Sequence, residues 1–236
     1  MIALQGLHKS FGDKHVLTGI NLTVAQGESL CVIGQSGTGK SVLLRCILGL
    51  ERPDAGAILW RGQPLDAHRR AAFMRGFGML FQGAALFDSL TVWQNVAFRL
   101  MQRMPAQRAK AIAIEKLARV GLAADTADLM PAELSGGMAK RAGLARAIAD
   151  DPEVIFFDEP TTGLDPIRAR RINGLIRDIV RETGATAITI THDMDSVRTI
   201  ADRVVLLQDG QIAWDGPVDA MDDAPQLADF LGKAGT

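Results

Sequence analysis

Eight consecutive residues near the N-terminus have the types and the spacing that bind phosphate. They read Gly34-Gln35-Ser36-Gly37-Thr38-Gly39-Lys40-Ser41, which matches the P-loop pattern G-x-x-x-x-G-K-S. The glycines allow successive backbone N–H groups to turn towards phosphate oxygens, the Lys40 ammonium reaches the β- and γ-phosphates, and the Ser41 hydroxyl is a ligand for Mg²⁺. The segment, with Val42 behind it, predicts a site for a nucleoside triphosphate.

The elements on either side of this loop favour that interpretation. The apolar run Ser29–Ile33 predicts a strand that leads into the loop, and Val42–Leu48 predicts a helix that leads out of it. The dipole of a helix adds to the attraction for an anion at its N-terminus. The alternative is an ordinary glycine-rich turn, which has no need of a strand before it and a helix after it.

Composition limits the class of protein. The chain has 236 residues, 47% of them hydrophobic, and a formal net charge of −1. This length suits one large α/β domain, or a core with an inserted subdomain, and the hydrophobic content excludes a disordered chain. Without a basic excess we expect no nucleic acid partner. The chain starts without a basic, apolar leader, so we expect it to remain in the cytoplasm. Its charge-free runs, such as 16–27, fall short of the ~20 apolar residues that cross a bilayer.

Alternating strand and helix patterns predict a mainly parallel sheet. Val154-Ile155-Phe156-Phe157 is a continuous apolar run that ends in Asp158 and Glu159, as expected of a strand buried on both faces. Other predicted strands cover 3–7, 20–24, 57–60, 76–81 and 185–191, and 204–207 pairs with 211–214 through Asp209-Gly210. Predicted helices cover 106–120, the segment from Ser135 to Asp151, and a segment capped by Asp165 with Pro166 at its first position. Cys31 and Cys46 are expected to be reduced, packed thiols.

A P-loop alone leaves kinases, GTPases, helicases and transport ATPases open, and four further motifs narrow the choice. The signature segment Leu134-Ser135-Gly136-Gly137-Met138 precedes the run 154–160, Gln82 lies upstream, and Thr191-His192-Asp193 lies downstream. Together with the P-loop, in this order, these motifs resemble the ATP-binding cassette ATPase family along nearly the whole chain. The resemblance implies one domain over 1–236: a RecA-like core with an antiparallel β subdomain (1–82 and 152–222), a helical subdomain (83–151) and a short tail (223–236).

The resemblance also implies roles for single residues at the nucleotide. Asp158 would hold Mg²⁺ with Ser41 and Gln82, and Glu159 would polarise the attacking water, although an acid at a helix start is the alternative for Glu159. His192 would contact the γ-phosphate, where a lone histidine after a strand is otherwise a capping or packing residue. Phe11 would stack on adenine, with core packing as its alternative.

Ser135, Gly136, Gly137 and Met138 would bind the ATP of a partner subunit. The resemblance implies a head-to-tail homodimer in ATP, with two nucleotides between the P-loop of one copy and the signature of the other, and with Asp165 in the loop at that interface. Without the resemblance, Ser135 is simply a helix cap.

The residues in and around three of these motifs favour one branch of the family. Met138-Ala139-Lys140-Arg141, which carries Met where most of the family has Gln, the stretch Phe81–Phe87, and the segment 159–167 resemble the ATPase of bacterial Mla/Mce-type phospholipid transporters. That branch implies an integral permease, a membrane-anchored Mce-type substrate-binding protein, often a small STAS-domain protein, and a peripheral location on the cytoplasmic side of the inner membrane. Residues 83–96 would face the permease, with Trp93 either an interface anchor or a buried aromatic residue.

Two other interpretations stay open. One is the ATPase of another transporter, such as a nutrient importer or a lipoprotein-release system. The other is a soluble cassette protein of DNA repair or translation, a class that usually carries two cassettes or a long coiled-coil insertion.

Overall fold

The computed structural model describes residues 1–228, which fall into two compact units. The first unit comprises residues 1–75 together with 186–228, and the second comprises residues 76–185. The predicted helical subdomain, 83–151, lies within the second unit. Most of the predicted tail, residues 229–236, lies outside the described residues.

The first unit contains eight strands and three helices within the described chain. Its strands are β1 (Ile2–Phe11), β2 (Lys14–Val24), β3 (Ser29–Ile33), β4 (Ala55–Trp60), β5 (Gln63–Pro64), β8 (Thr186–Ile190), β9 (Arg203–Gln208) and β10 (Gln211–Pro217). Its helices are α1 (Lys40–Leu48), α2 (Ala67–Arg75) and α7 (Met194–Ile200), and two 3₁₀ turns, Val218–Asp223 and Pro225–Leu227, follow β10.

The strand before the P-loop lies at the centre of a sheet in this unit. All five residues of β3 are buried, and β3 pairs in parallel with both β8 and β9. A continuous apolar run is what a strand with neighbours on both sides and covered faces requires. β10 closes this side of the sheet as an antiparallel partner of β9, as the Asp209-Gly210 turn predicts.

A second, antiparallel sheet has the strand order β2-β1-β4-β5. Its first strand is longer than predicted, because β1 continues past Leu7 through register shifts between Leu4 and Ser10. Phe11 is the last residue of β1 and pairs with Lys14.

The second unit contains two strands and four helices among the residues described. They are β6 (Phe77–Leu80), α3 (Val92–Val96), α4 (Ala106–Arg119), α5 (Gly136–Ala147), β7 (Val154–Asp158) and α6 (Pro166–Thr183). β6 and β7 are parallel, and their carboxyl ends carry Gln82 and Glu159 into the following turns. Short 3₁₀ turns at Leu100–Gln102, Ala124–Asp128 and Pro131–Glu133 connect the helices.

Several predicted boundaries were wrong. The helix that begins after Ser135 ends at Ala147 rather than at Asp151, and Asp151 takes a left-handed backbone with φ +45°. In α6 the residues Ile172, Ile176, Ile179 and Val180 are buried, whereas Leu175 is partly exposed. The sequence analysis missed α2, α3 and α7, which are short or weakly apolar.

Two predictions from the sequence concern the cysteines and the absence of a membrane-spanning segment. Neither Cys31 nor Cys46 forms a disulfide, both are buried, and burial raises the pKa of the Cys46 thiol to about 11, which keeps it unreactive. Within residues 1–228, every helix is too short or too polar to span a bilayer.

Candidate nucleotide-binding and catalytic site

The P-loop connects β3 to α1 and holds its lysine in place. Gly39 precedes α1 with φ +102°, a conformation that L side chains rarely adopt, so this position requires glycine. Lys40 opens the helix and is only 8% exposed. Its ammonium donates hydrogen bonds to the carbonyl oxygens of Gly34 at 2.6 Å and Gln35 at 2.8 Å. The charge is thus kept within the curve of the loop, where a phosphate would be bound.

The rest of the loop is open to a ligand. Gln35, Ser36, Gly37 and Ser41 are exposed, while Thr38 and Val42 are half-buried. Backbone N–H groups at the start of a helix have no partner within the helix and are available to an anion. A buried cation within a loop of exposed residues suits the binding of a polyphosphate.

Phe11 is a surface residue, so the core-packing alternative for it was wrong. Its side chain is 47% exposed at the end of β1. The Lys9 ammonium lies 5.0 Å from the ring centroid and is itself held by Glu51 at 2.8 Å and Asp54 at 3.4 Å. A flat ring supported from one side by a cation leaves its other face to a planar group such as a purine base.

His192 lies two residues after the end of β8 and is exposed. The next residue, Asp193, caps α7 by accepting hydrogen bonds from the Asp195 amide at 3.1 Å and the Ser196 hydroxyl at 2.6 Å. Capping in this segment is therefore performed by Asp193, not by the histidine. The role of His192 at a γ-phosphate stays a prediction.

In the second unit, β7 delivers two carboxylates to its end. Asp158 is the last residue of the strand, and Glu159 follows with a left-handed backbone, φ +47°. The Thr162 hydroxyl donates to Glu159 Oε2 at 3.2 Å. Because α6 begins only at Pro166, the alternative that Glu159 is a helix-start acid was wrong. A non-glycine residue in this conformation costs free energy and is common at functional sites.

The loop after β6, residues 82–90, is held by two side chains that the sequence analysis did not single out. Ala84 and Ala85 have left-handed backbones, and the Arg146 guanidinium donates a hydrogen bond of 2.6 Å to the carbonyl of each. Asn95 is fully buried, accepts from the Phe87 amide at 2.7 Å, and donates to the carbonyls of Phe87 and Leu90. We refer to residues 82–90 as the Gln82 loop.

The signature segment opens α5. Ser135 is its N-cap, as predicted, and its hydroxyl accepts a long bond of 3.4 Å from the Met138 amide. Ser135 and Gly136 are exposed, and Gly137 and Met138 are half-buried. A cavity of about 580 Å³ lies beside this turn, and its lining includes Ser135, Gly137, Met138, Arg141, Arg168 and Arg171. Three arginines beside a helix N-terminus favour an anionic ligand.

Asp165 caps α6, as predicted from the sequence. Its carboxylate accepts from the amides of Ile167 at 3.1 Å and Arg168 at 3.0 Å. The Arg168 amide and the nearby guanidinium lower the pKa of the Asp165 carboxyl. Its place at a dimer interface stays a prediction.

The three predicted magnesium ligands carry oxygen atoms of the types that bind Mg²⁺. Ser41, Gln82 and Asp158 offer a hydroxyl, an amide oxygen and a carboxylate, which are the hard oxygen donors that Mg²⁺ prefers. Ser41 and Gln82 are exposed and Asp158 is partly so. Across residues 1–228 no cluster of three His, Cys, Asp or Glu side chains is arranged for a metal. A site with one or two carboxylates, completed by phosphate and water, does not need such a cluster.

A family model and individual relatives assign the chain to the same family. The family model described as ABC transporter matches residues 17–162. The methionine import ATP-binding protein MetN of Brucella abortus (strain 2308) is 44% identical over 223 residues, covering 92% of this chain and 60% of that protein. The probable ribonucleotide transport ATP-binding protein mkl of Mycobacterium tuberculosis (strain ATCC 25618 / H37Rv) is 39% identical, covering 98% of this chain and 66% of that protein. The chain thus spans about two thirds or less of the length of these relatives.

Two solved structures share the fold. The ATP-binding cassette MJ0796, in a dimeric post-hydrolysis state bound to ADP and Pi, is 30% identical with a TM-score of 0.83, covering 92% of this chain and 99% of that one. The cbiO1 protein of Clostridium perfringens, part of the ABC transporter complex cbiONQ, is 28% identical with a TM-score of 0.86, covering 99% of this chain and 94% of that one. The predicted α/β fold of the P-loop NTPase type is confirmed.

Proposed function

Since the chain belongs to the ABC transporter family, we propose that it hydrolyses ATP to drive a transporter. The observation that carries this proposal is the P-loop, in which Lys40 is buried while Gln35, Ser36 and Gly37 are exposed. Phe11 binds the adenine, and the loop with Lys40 binds the phosphates. Ser41, Gln82 and Asp158 would hold Mg²⁺, whose positive charge would offset the charge that develops on the transferred phosphoryl group.

Hydrolysis also needs an oriented water molecule. Glu159 accepts a proton from that water, and Gln82 and His192 hold the water and the γ-phosphate in place. The hydrogen bond that the Thr162 hydroxyl donates to Glu159 Oε2 orients the carboxylate. Products are ADP and inorganic phosphate, and no covalent intermediate is formed on this chain.

The signature segment serves the second nucleotide of a homodimer. Ser135, Gly136 and Gly137 present a hydroxyl and amides at the start of α5, next to Arg141 and Arg168. A twofold interface brings this turn of one copy to the phosphates on the P-loop of the other. The solved MJ0796 cassette bound to ADP and Pi is described as dimeric, which supports the proposal. Asp165 lies in the loop between β7 and α6 that reaches the same interface.

Two substitutions in the signature segment are expected to have opposite consequences. Met138→Gln leaves ATP turnover within roughly threefold, because the anion contacts belong to Ser135 and to backbone amides. Ser135→Arg blocks turnover, because a bulky cation fills the phosphate position. Steady-state phosphate release from both purified variants measures this, and equal severe losses would assign Met138 a specific role in the site.

An aromatic patch in the second unit is the proposed docking site for a permease. It consists of Phe81, Phe87 and Phe98, which are 40%, 47% and 38% exposed. The rings of Phe87 and Phe98 are 4.9 Å apart, and the patch borders a cavity of about 220 Å³. Arg146 and Asn95 hold the Gln82 loop, which carries Phe87. A permease that displaces the patch would therefore also displace Gln82. The chain would thus act at the cytoplasmic face of the bacterial inner membrane, as a peripheral subunit.

A charge in the aromatic patch is expected to uncouple the permease. Phe87→Asp places a carboxylate where an apolar helix docks, and burying that charge without a partner is costly. We expect transport-coupled ATP turnover of the complex to fall by about tenfold or more, while turnover of the isolated subunit stays within about threefold. Leu50→Asp, at an exposed leucine outside the patch, is the matched control. Equal transport-coupled turnover in both variants would show that the permease docks at another surface.

Import of a small nutrient is the cargo class that the relatives favour. MetN, 44% identical over most of this chain, is named for methionine import. The phospholipid interpretation rests on the residues around Met138 and at Phe81–Phe87. It implies an Mce-type protein and a STAS-domain protein as partners. Purification of the native complex, with identification of its membrane subunit and bound molecules by mass spectrometry, separates the two. A permease with an amino-acid-binding partner supports import, an Mce-type partner with bound phospholipid supports lipid transport, and the absence of any permease rejects both.

A further inference from the structure

A buried lysine connects the two catalytic turns of the second unit. Lys140 lies in the second turn of α5 and is 6% exposed. Its ammonium donates a hydrogen bond to the backbone carbonyl of Gln82, and a second, at 3.5 Å, to the backbone carbonyl of Glu159. One side chain of the signature helix therefore contacts Gln82, two residues after β6, and Glu159, the residue after β7.

The partners of Lys140 are unusual for a buried lysine. Buried ammonium groups are normally paired with a carboxylate, and Lys116 shows the usual arrangement, 4% exposed with Asp151 Oδ1 at 2.5 Å. Lys140 donates to neutral carbonyls instead. Burial lowers the pKa of the Lys140 ammonium, while the carboxylates of Asp158 and Glu159 oppose that shift. A cation kept without a directly bonded carboxylate costs stability, which is understandable if its hydrogen bonds serve the site.

The contact at Glu159 falls on a strained residue. Glu159 has a left-handed backbone with φ +47°, which costs free energy in a residue other than glycine. The hydrogen bond from Lys140 to its carbonyl contributes to holding this conformation. The same ammonium donates to the Gln82 carbonyl, so the backbones at Gln82 and Glu159 are held to one side chain of α5.

We propose that Lys140 is a positioning residue that ties the Gln82 loop and the Glu159 turn to the signature helix. This inference rests on the proposed roles of Gln82 and Glu159 in hydrolysis. It adds that the orientation of both depends on α5, so that a ligand engaged at Ser135 and Gly137 on the same helix acts on the hydrolytic residues of its own chain. Displacement of catalytic groups by about 1 Å is enough to reduce a rate by about 10²-fold.

The test compares variants of the full chain in one ATPase assay. Lys140→Met keeps the length and the apolar stem but removes the donors, Lys140→Arg keeps charge and donors, and Lys116→Met is the matched buried control. We expect Lys140→Met to lower kcat by about 10- to 100-fold with the KM and Kd for ATP within about threefold, and Lys140→Arg to recover at least about tenfold of that loss. Lys116→Met should lower the melting temperature and leave kcat within about threefold.

Each outcome decides the inference. A kcat of Lys140→Met within threefold of the parent, a loss confined to KM, or an equal kcat loss in Lys116→Met overturns the positioning role. If Lys140→Met does not purify as a folded protein, Lys140→Leu takes its place under the same criteria. Glu159→Gln is measured alongside: if it turns over normally, the proposed function of Glu159 fails, whereas a dead Glu159→Gln with a normal Lys140→Met rejects the role of Lys140 alone.

Discussion

Replacing Glu159 with Gln is expected to reduce ATP turnover by roughly 10²–10⁴-fold while ATP still binds. The amide keeps the size of the side chain and can still receive the Thr162 hydroxyl bond, but it cannot accept the proton of the attacking water. Phosphate release and equilibrium binding of a fluorescent ATP analogue measure the two quantities separately. Because ATP is retained, the variant should elute as a dimer in ATP and as a monomer without it.

The control for this substitution is Glu115→Gln, which makes the same chemical change at an exposed position on α4. It should leave turnover unchanged within about twofold, as surface substitutions usually do. Near-normal turnover in Glu159→Gln would reject Glu159 as the residue that activates water.

Removing the Lys40 ammonium is expected to weaken ATP binding by roughly 10²-fold or more, since charge-assisted hydrogen bonds to phosphate are among the strong polar contacts. In the structure the ammonium is held by the carbonyls of Gly34 and Gln35, so it already lies within the loop when a phosphate arrives. Lys40→Ala therefore loses a prepositioned charge. The measurement is the dissociation constant for ATP.

Lys110→Ala is the control for the loss of a positive charge. Lys110 lies on α4 and forms an exposed ion pair with Asp128, so its removal should not change ATP affinity. An unchanged affinity in Lys40→Ala would place the phosphates elsewhere on the chain.

Local signals in the sequence were sufficient for the central strands and the caps. The strands at 29–33 and 154–158 were predicted because short, continuous apolar runs of this kind are typical of parallel strands that are covered on both faces. Ser135 and Asp165 were predicted as caps because a short polar side chain directly before a helix accepts its first amides. Each of these signals is carried by neighbouring residues.

The remaining features depend on partners far apart in the chain. Ala84 and Ala85 adopt left-handed backbones that alanine does not prefer, and the donor that holds them, Arg146, is about sixty residues away. The contacts of Lys140 likewise join three separate segments. No pattern of neighbouring residues encodes such contacts. The P-loop and the two carboxylates at the end of β7 could be located from the sequence, whereas the side chains that hold the neighbouring loops could not.

Two glycines allow α5 to lie directly on β6. A Cβ atom at Gly78 would stand 2.0 Å from the Ala147 carbonyl oxygen, and one at Gly143 would stand 2.9 Å from Leu80 Cδ1. The first obstacle is backbone, which no substitution can shorten, whereas the second is a side chain that can be trimmed. In a library of random variants selected for activity, position 78 should therefore stay glycine in every survivor, while alanine at position 143 should be recovered together with a smaller residue at position 80.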